Sequence, residues 1–360
     1  MSEFRNLHDF AKKAKAHLAQ GEWDYLRGGA ETETSLRRNR MGLDGLAFRP
    51  RVLNDVSDLD ASTTFLGHRL RIPVLLAPLG SIQLFDPAGA AAIARATSDF
   101  GTMMILSSVC EPSFEEVAKI GTGPKIYQLY LYGDRAWADE IIGRTVSAGY
   151  AALCLTVDSQ VYSRRERSIS ADWVPRESLR TRSNTSDDFG FQAQLSWATV
   201  EHIKKSFPIP LVIKGVMRGD DARRAVDAGV DVVYVSNHGG RQLDHALACI
   251  EALPEVVDAV AGRVPVVVDG GFVRGTDVLK ALCLGANAVG IGRLEAMAMA
   301  SGGEKAVLRM LELLENEIRV NMALMGVRTI AELDASLVEK APSLADPHVL
   351  SAFPLLEQGY

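Results

Sequence analysis

The sequence is short of the features that mark a secreted, metal-binding or membrane protein. Its four cysteines, Cys110, Cys154, Cys249 and Cys283, are scattered and form no CxxC pair, so neither a zinc knuckle nor a disulfide framework organises the chain. Charge of one sign is also scarce. The 39 Lys and Arg against 45 Asp and Glu leave a formal charge of -6 over 360 residues, which supplies no basic footprint for nucleic acid and no Lys/Arg block for a membrane surface. No apolar run approaches the roughly 20 residues that membrane insertion needs. The start, Met1-Ser2-Glu3-Phe4-Arg5, leads into an alanine- and lysine-rich amphipathic stretch and lacks the charged-then-apolar order of a signal peptide. A reduced, cytoplasmic compartment is the expectation.

What is present is an ordinary globular composition, 47% hydrophobic and 23% charged. At roughly 150 residues per domain the length allows two domains, or one large α/β barrel. Eight short β-branched or apolar runs recur along the chain: Ile72 to Pro78, Met103 to Ser108, Lys125 to Leu131, Ala152 to Asp158, Pro210 to Gly215, Val232 to Asn237, Val264 to Gly271 and Ala286 to Arg293. Between most of them lies an amphipathic segment that closes near a glycine, such as Asp220 to Gly229 and Thr276 to Gly285, the pattern of capped crossover helices. Continuous apolar strands are those buried on both faces, as in a parallel sheet. Eight β-then-helix units predict a closed (β/α)8 barrel in a single domain over 1–360, with its core at about 72–325. An open dinucleotide fold fits less well, because Gly290-Ile291-Gly292 falls at the last strand and lacks the third glycine.

Three stretches exceed the minimal repeat. The first 70 residues read as helices followed by an extended segment, Leu46 to Val56. The interval from Arg165 to Pro208 is long and polar, and its part at about 166–208 reads as a lid-like loop or a surface excursion after the fourth strand. Past Arg293 the chain is helical to about Met325 and then becomes a tail.

Barrels build their sites at the C-terminal ends of the strands. Those ends carry Pro78-Leu79-Gly80, Ser107-Ser108, Gln128 and Tyr130, Thr156 and Asp158, Lys214, Ser236-Asn237-His238 with Arg241, Asp269-Gly270-Gly271, and Gly292-Arg293. The glycines at the seventh and eighth ends expose backbone N–H groups suited to a phosphate, or simply permit tight turns. Lys214 closes an apolar strand and needs an anion, either a ligand or a neighbour such as Asp269. His238 and Arg241 together can aim a base and a carboxylate-binding fork at one small ligand, with Asp158 orienting the imidazole. There is no HExxH metal site and no GxSxG elbow; no metal is expected, and Cys110 reads as a pocket wall.

The run Ser236-Asn237-His238-Gly239-Gly240-Arg241-Gln242-Leu243-Asp244 closely resembles the signature of the FMN-dependent α-hydroxy-acid oxidases and dehydrogenases, which include glycolate oxidase, lactate oxidase and mandelate dehydrogenase. The resemblance continues nearly end to end, through Asp24-Tyr25, Phe48-Arg49-Pro50-Arg51, Tyr127-Gln128-Leu129-Tyr130, Thr156-Val157-Asp158, Arg164-Arg165-Glu166, Lys214-Gly215 and Asp269-Gly270-Gly271. It implies FMN as cofactor and oxidation of an (S)-2-hydroxy acid, with oxygen or another electron acceptor and a homotetramer or larger assembly. It implies His238 as base supported by Asp158, Arg165 and Arg241 on the carboxylate with Tyr25, Tyr130 on the hydroxyl oxygen, and Lys214 beside flavin N1. Pro78, Leu79, Gly80, Ser107, Gln128, Thr156 and Ser236 would line the flavin, with Asp269 alongside, and Gly271, Gly292 and Arg293 would take the phosphate.

The chain also departs from the family pattern. Val273 stands where relatives carry an arginine, which removes a phosphate contact unless Arg274 bends in. Gln160 and Ser163 replace the usual proline and glycine before Arg165. Gly80 and Val109 stand where glycolate oxidase has alanine and tryptophan, which opens the substrate side chain's space and favours a bulkier, mandelate-like acid. Two other readings share parts of this pattern: a redox-neutral FMN-barrel isomerase and a non-catalytic flavin-binding descendant.

Overall fold

The computed structural model describes residues 3–173, 190–344 and 346–359. Eight strands close into a parallel barrel: β1 (Val74–Leu76), β2 (Met103–Ser107), β3 (Lys125–Leu129), β4 (Ala152–Thr156), β5 (Leu211–Val216), β6 (Val232–Val235), β7 (Val266–Val268) and β8 (Ala288–Ile291). Each pairs with its successor, and β8 returns to β1 through Gly290 opposite Leu75. The (β/α)8 expectation holds. All eight expected strands are present; seven end one to three residues before the expected bound, while β5 runs one residue past it to Val216.

Both faces of the strands are apolar for a reason visible in the packing. Leu75, Met103, Ile105, Ile126, Cys154, Val212, Tyr234 and Val267 point into the barrel and form one cluster. The alternating residues, among them Val74, Leu76, Met104, Leu106, Leu153 and Leu155, join a second cluster with the surrounding helices. Crossover helices include Gly219–Asp227 and Gly275–Cys283. The last helical stretch, Arg293–Met325, breaks at Gly302 and Gly303 and ends on Gly326 in the left-handed region.

Ahead of the barrel lie α1 (His8–His17), α2 (Gln20–Arg27) and α3 (Thr34–Asp44). Two small antiparallel pairs were not anticipated. Thr63–Phe65 and His68–Leu70 form a hairpin whose Phe65 and Leu70 join the barrel's interior cluster. Leu46–Phe48 pairs with Val338–Lys340, tying the N-terminal cover to the tail. The expected extended segment at Leu46 to Val56 is therefore a strand only over its first three residues.

The long interval after β4 opens with the helix Glu166–Ser170 and closes with Gly190–Ala193 and the crossover helix Trp197–Ser206. Its middle, 174–189, lies outside the described residues, so the lid-like reading there is not addressed. The closing end is fixed: Gln192, buried, donates to the Thr156 carbonyl at 2.9 Å and accepts from the Leu131 N–H at 2.8 Å. No helix among the described residues is long and apolar enough to cross a membrane.

Candidate active site

A cavity of about 380 Å³ opens at the C-terminal ends of the strands. It is lined by Tyr25, Pro78, Leu79, Gly80, Val109, Tyr130, Arg165, Lys214, His238, Arg241, Asp269, Gly271, Gly292 and Arg293. The sequence-derived rim thus converges on one space. Ser107, Gln128, Thr156, Asp158 and Ser236 do not line the cavity but stand partly or fully buried at the same strand ends.

His238 sits in the turn after β6, where His238, Gly239 and Gly240 have φ of 57°, 65° and 75°. Left-handed backbone is unfavourable for histidine and persists only where surroundings enforce it. Here the enforcement comes from α3. A Cβ on Gly240 would lie 2.5 Å from the Leu36 nitrogen, so only glycine lets the turn approach the helix. Asn237 and Asn39 exchange a reciprocal pair of amide hydrogen bonds at 2.9 Å. Asp244 accepts from Ser35 N at 2.7 Å and from Thr32 N and Oγ1 at 3.0 and 2.7 Å. Burial raises the Asp244 carboxyl, but these donors outweigh it and bring it down to about 2.

The turn places Nδ1 of His238 2.9 Å from Asp158 Oδ1 and Nε2 3.5 Å from the Tyr130 hydroxyl. Burial lowers the imidazole's affinity for a proton; Asp158 opposes this, while Lys214 and Arg165 add to it, and the net direction is down. Asp158 is also raised by burial, yet His238 and Lys214 prevail and keep it ionised. The Tyr130 hydroxyl is held far above its ordinary value by burial and by Asp158, so it remains a donor.

Lys214 is buried at the end of β5 with Nζ 2.9 Å from Ser236 Oγ, 3.7 Å from Asp269 and 4.0 Å from Asp158. Burial opposes its charge, but Asp269 and Asp158 outweigh it and raise its pKa. The salt-bridge reading and the ligand reading of this lysine are thus compatible, because the same ammonium also lines the cavity.

Two guanidiniums stand over the Tyr25 ring, Arg241 at 4.8 Å and Arg165 at 5.9 Å from its centroid. Arg241 donates to the carbonyls of Tyr25 and Gly28 at 2.6 and 3.1 Å. Burial and the neighbouring Arg165 bring Arg241 down to about 10, the signature of cations gathered without an anion. Arg293 is lowered to about 9 by burial and by Arg241; its guanidinium donates to Gly239 O at 2.9 Å and Gly28 O at 2.8 Å.

FMN fits this residue set. Both side-chain polar atoms of Gln128 and the Thr156 hydroxyl are buried without a hydrogen-bond partner among the described residues, and such groups cost stability unless a ligand engages them. Gly270 and Gly271, with φ of 100° and 89°, present backbone at the phosphate end. Arg274 does not bend in. It is tied to Glu317 at 2.6 Å and to the Ala352 carbonyl at 3.2 Å. The lining residue that sequence reasoning missed there is Arg40 on α3, which donates to the Gly271 carbonyl and to Asp277. No strand-end pattern signals a residue that arrives from the N-terminal cover.

The expectation that Gly80 and Val109 both add space needs refinement. A Cβ on Gly80 would lie 2.7 Å from Val109 Cγ2, so the valine already occupies the room the glycine leaves. Ser163 donates its hydroxyl to the Arg241 carbonyl, giving that departure a structural role. Cys110 is a wall: its Sγ donates to Leu79 O at 2.9 Å, and burial pushes the thiol up to about 12.

A parallel barrel whose rim joins glycine-exposed backbone, a buried lysine and a cluster of guanidiniums suits a phosphorylated cofactor held beside a small carboxylate. Comparison with known proteins is specific. The model of the FMN-dependent dehydrogenase family matches residues 14–340. An L-lactate oxidase of Nostoc sp. is 41% identical over 355 residues, covering 92% of this chain and 97% of the relative. A peroxisomal (S)-2-hydroxy-acid oxidase of Oryza sativa subsp. japonica is 43% identical over 348 residues, covering 92% and 95%. A crystal structure of mandelate oxidase with (S)-2-phenylpropionate superposes with a TM-score of 0.87 at 37% identity, covering 95% of this chain and all of that one. The chain belongs to the FMN-dependent 2-hydroxy-acid oxidase and dehydrogenase family, and it is an FMN-dependent oxidoreductase.

Proposed function

We propose that the protein oxidises an (S)-2-hydroxy acid with a medium or bulky, aromatic side chain to the 2-oxo acid. The observation that carries this reading is His238, backed by Asp158, on the wall of a cavity that also receives Tyr130 and two guanidiniums. Arg165 and Arg241 bind the substrate carboxylate with help from the Tyr25 hydroxyl. Tyr130 donates to the hydroxyl oxygen. Neutral His238 takes the proton from the substrate on Nε2, and the resulting imidazolium is stabilised through Nδ1 by Asp158. Bound FMN would supply the acceptor for the substrate's two electrons together with its second hydrogen. Lys214 would hold positive charge beside the cofactor ring, while Pro78, Leu79, Gln128, Thr156 and Ser236 would hold that ring and Gly271, Gly292 and Arg293 its phosphate.

The side-chain preference rests on Val109, on the cavity wall, which is smaller than the tryptophan that glycolate oxidase carries at that position. Purified protein should be yellow and bleach anaerobically on adding a 2-hydroxy acid. An isomerase would not bleach, and a non-catalytic binder would stay yellow or be colourless. Across glycolate, lactate, mandelate and 4-hydroxymandelate, kcat/KM should favour the aromatic acids; a clear preference for glycolate overturns the side-chain assignment. Mixing the reduced protein with air distinguishes oxygen from another electron acceptor. The reading takes 1–360 as one catalytic unit in a cytoplasmic homo-oligomer, which light scattering on the holoenzyme tests.

A further inference from the structure

Asp158 has a second partner besides the imidazole. Ser159, the next residue in the chain and itself buried at the cavity wall, has its Oγ 3.0 Å from Asp158 Oδ1 and 3.2 Å from His238 Nδ1. Three polar atoms therefore form a closed triangle, since Nδ1 and the same Oδ1 are 2.9 Å apart. The other carboxylate oxygen, Oδ2, has no hydrogen bond among the described residues and faces only the Lys214 ammonium at 4.0 Å. Neither motif spacing nor strand-end position singles out this serine.

We propose that Ser159 is a positioning residue for the base, its hydroxyl donating to Asp158 Oδ1 while an oxygen lone pair faces Nδ1–H of His238. The proposal rests on His238 being the base. A carboxylate accepts only, so the serine proton must point at Asp158, and the serine oxygen is left to accept. Both neighbours of Nδ1 are then acceptors, which fixes the imidazole proton on Nδ1 and leaves Nε2 bare toward Tyr130 and the substrate. The serine also draws off part of the charge on Oδ1, so the imidazolium is held less firmly and the base regenerates at lower pH. The other charged or titratable groups around the imidazole are Lys214 from β5, Arg165 after β4 and Tyr130 after β3. None of them touches Oδ1 by hydrogen bond.

Removing the hydroxyl takes a hydrogen bond from the charged carboxylate and strengthens its grip on the imidazolium; this outweighs the loss of the longer 3.2 Å contact to Nδ1, so His238 should titrate higher. In holoenzyme labelled with 15N-histidine, wild-type His238 should carry its proton on Nδ1. Ser159→Ala should raise the His238 midpoint by about one pH unit and move the acid limb of anaerobic FMN reduction by mandelate or lactate with it. Ser159→Thr keeps the hydroxyl and should stay near wild type. An unmoved or lowered midpoint in Ser159→Ala, or an equal shift in Ser159→Thr, overturns the proposal. Undiminished reduction in His238→Ala instead overturns the assignment of the base, whatever the nitrogen spectrum of Ser159→Ala shows.

Discussion

At the scale of the residue, His238 is defined by competing influences. Burial among Lys214 and Arg165 favours the neutral ring, and Asp158 favours the charged one. The net lowering favours the unprotonated imidazole near neutral pH, which the proposed role of base requires. The sign for activity follows: the competent form is the deprotonated one, so kcat/KM should hold near neutrality and fall as pH drops through a midpoint below the ordinary 6.5. His238→Ala should retain FMN absorbance, because the lysine, the glutamine and the phosphate end are intact. Anaerobic stopped-flow reduction should slow by roughly 100- to 10,000-fold, and a near-native rate would show that another group takes the proton. The residue types at the rim were legible in the sequence because barrel strands end at the site. Ser159 and Arg40 were not, because one acts through a neighbour and the other arrives from outside the repeat.

At the scale of the element, β6 and β8 are matched by volume. Tyr234 on β6 is fully buried inside the barrel, with its hydroxyl facing the Asp269 carboxylate. A Cβ on Gly290 of β8 would collide with that hydroxyl oxygen and lie 3.1 Å from the ring carbon bearing it. The glycine that looked like a phosphate-loop residue in sequence is thus also the space into which a tyrosine reaches. Gly290→Ala should cost on the order of 3 kcal/mol by overpacking, measured by urea unfolding. Tyr234→Phe alone should cost only about 1 kcal/mol, since it deletes a hydroxyl that faces the Asp269 carboxylate. Combined, the two should recover much of the loss; strictly additive costs would mean the clash is relieved elsewhere.

At the scale of the whole molecule, stability against pH is set in part by a carboxyl that the reaction does not use. Glu295, in the first turn after Arg293, is 2% exposed, and its Oε2 lacks a partner among the described residues. Burial raises its pKa well above the ordinary 4.5. Because the folded value is raised, the native state keeps a proton that the unfolded chain releases. The contribution is full below about pH 4.5 and is lost as pH climbs toward the folded value, at about 1.4 kcal/mol for each pH unit climbed. Glu295→Gln should therefore match wild type in acid and become the more stable protein toward neutral pH, seen by calorimetry as a widening gap in Tm. A gap that does not change with pH would mean the carboxyl is not buried in the neutral form.

The sequence by itself determined the barrel and the list of rim residues, for one physical reason. Strands buried on both faces must be continuously apolar, so the points where polar residues and glycines interrupt them mark the strand ends. It also carried the family, through the order and spacing of short motifs. Tertiary structure alone decided what depends on contacts between distant segments. These are the left-handed His238 turn pressed onto α3, the retention of Arg274 by Glu317 while Arg40 lines the cavity, and the filling of Gly80's space by Val109. The hairpin at Thr63–Phe65 and the pairing of Leu46–Phe48 with Val338–Lys340 belong there too. Three-residue strands carry too little periodicity to be read locally, and they form because the barrel and the tail bring their partners alongside.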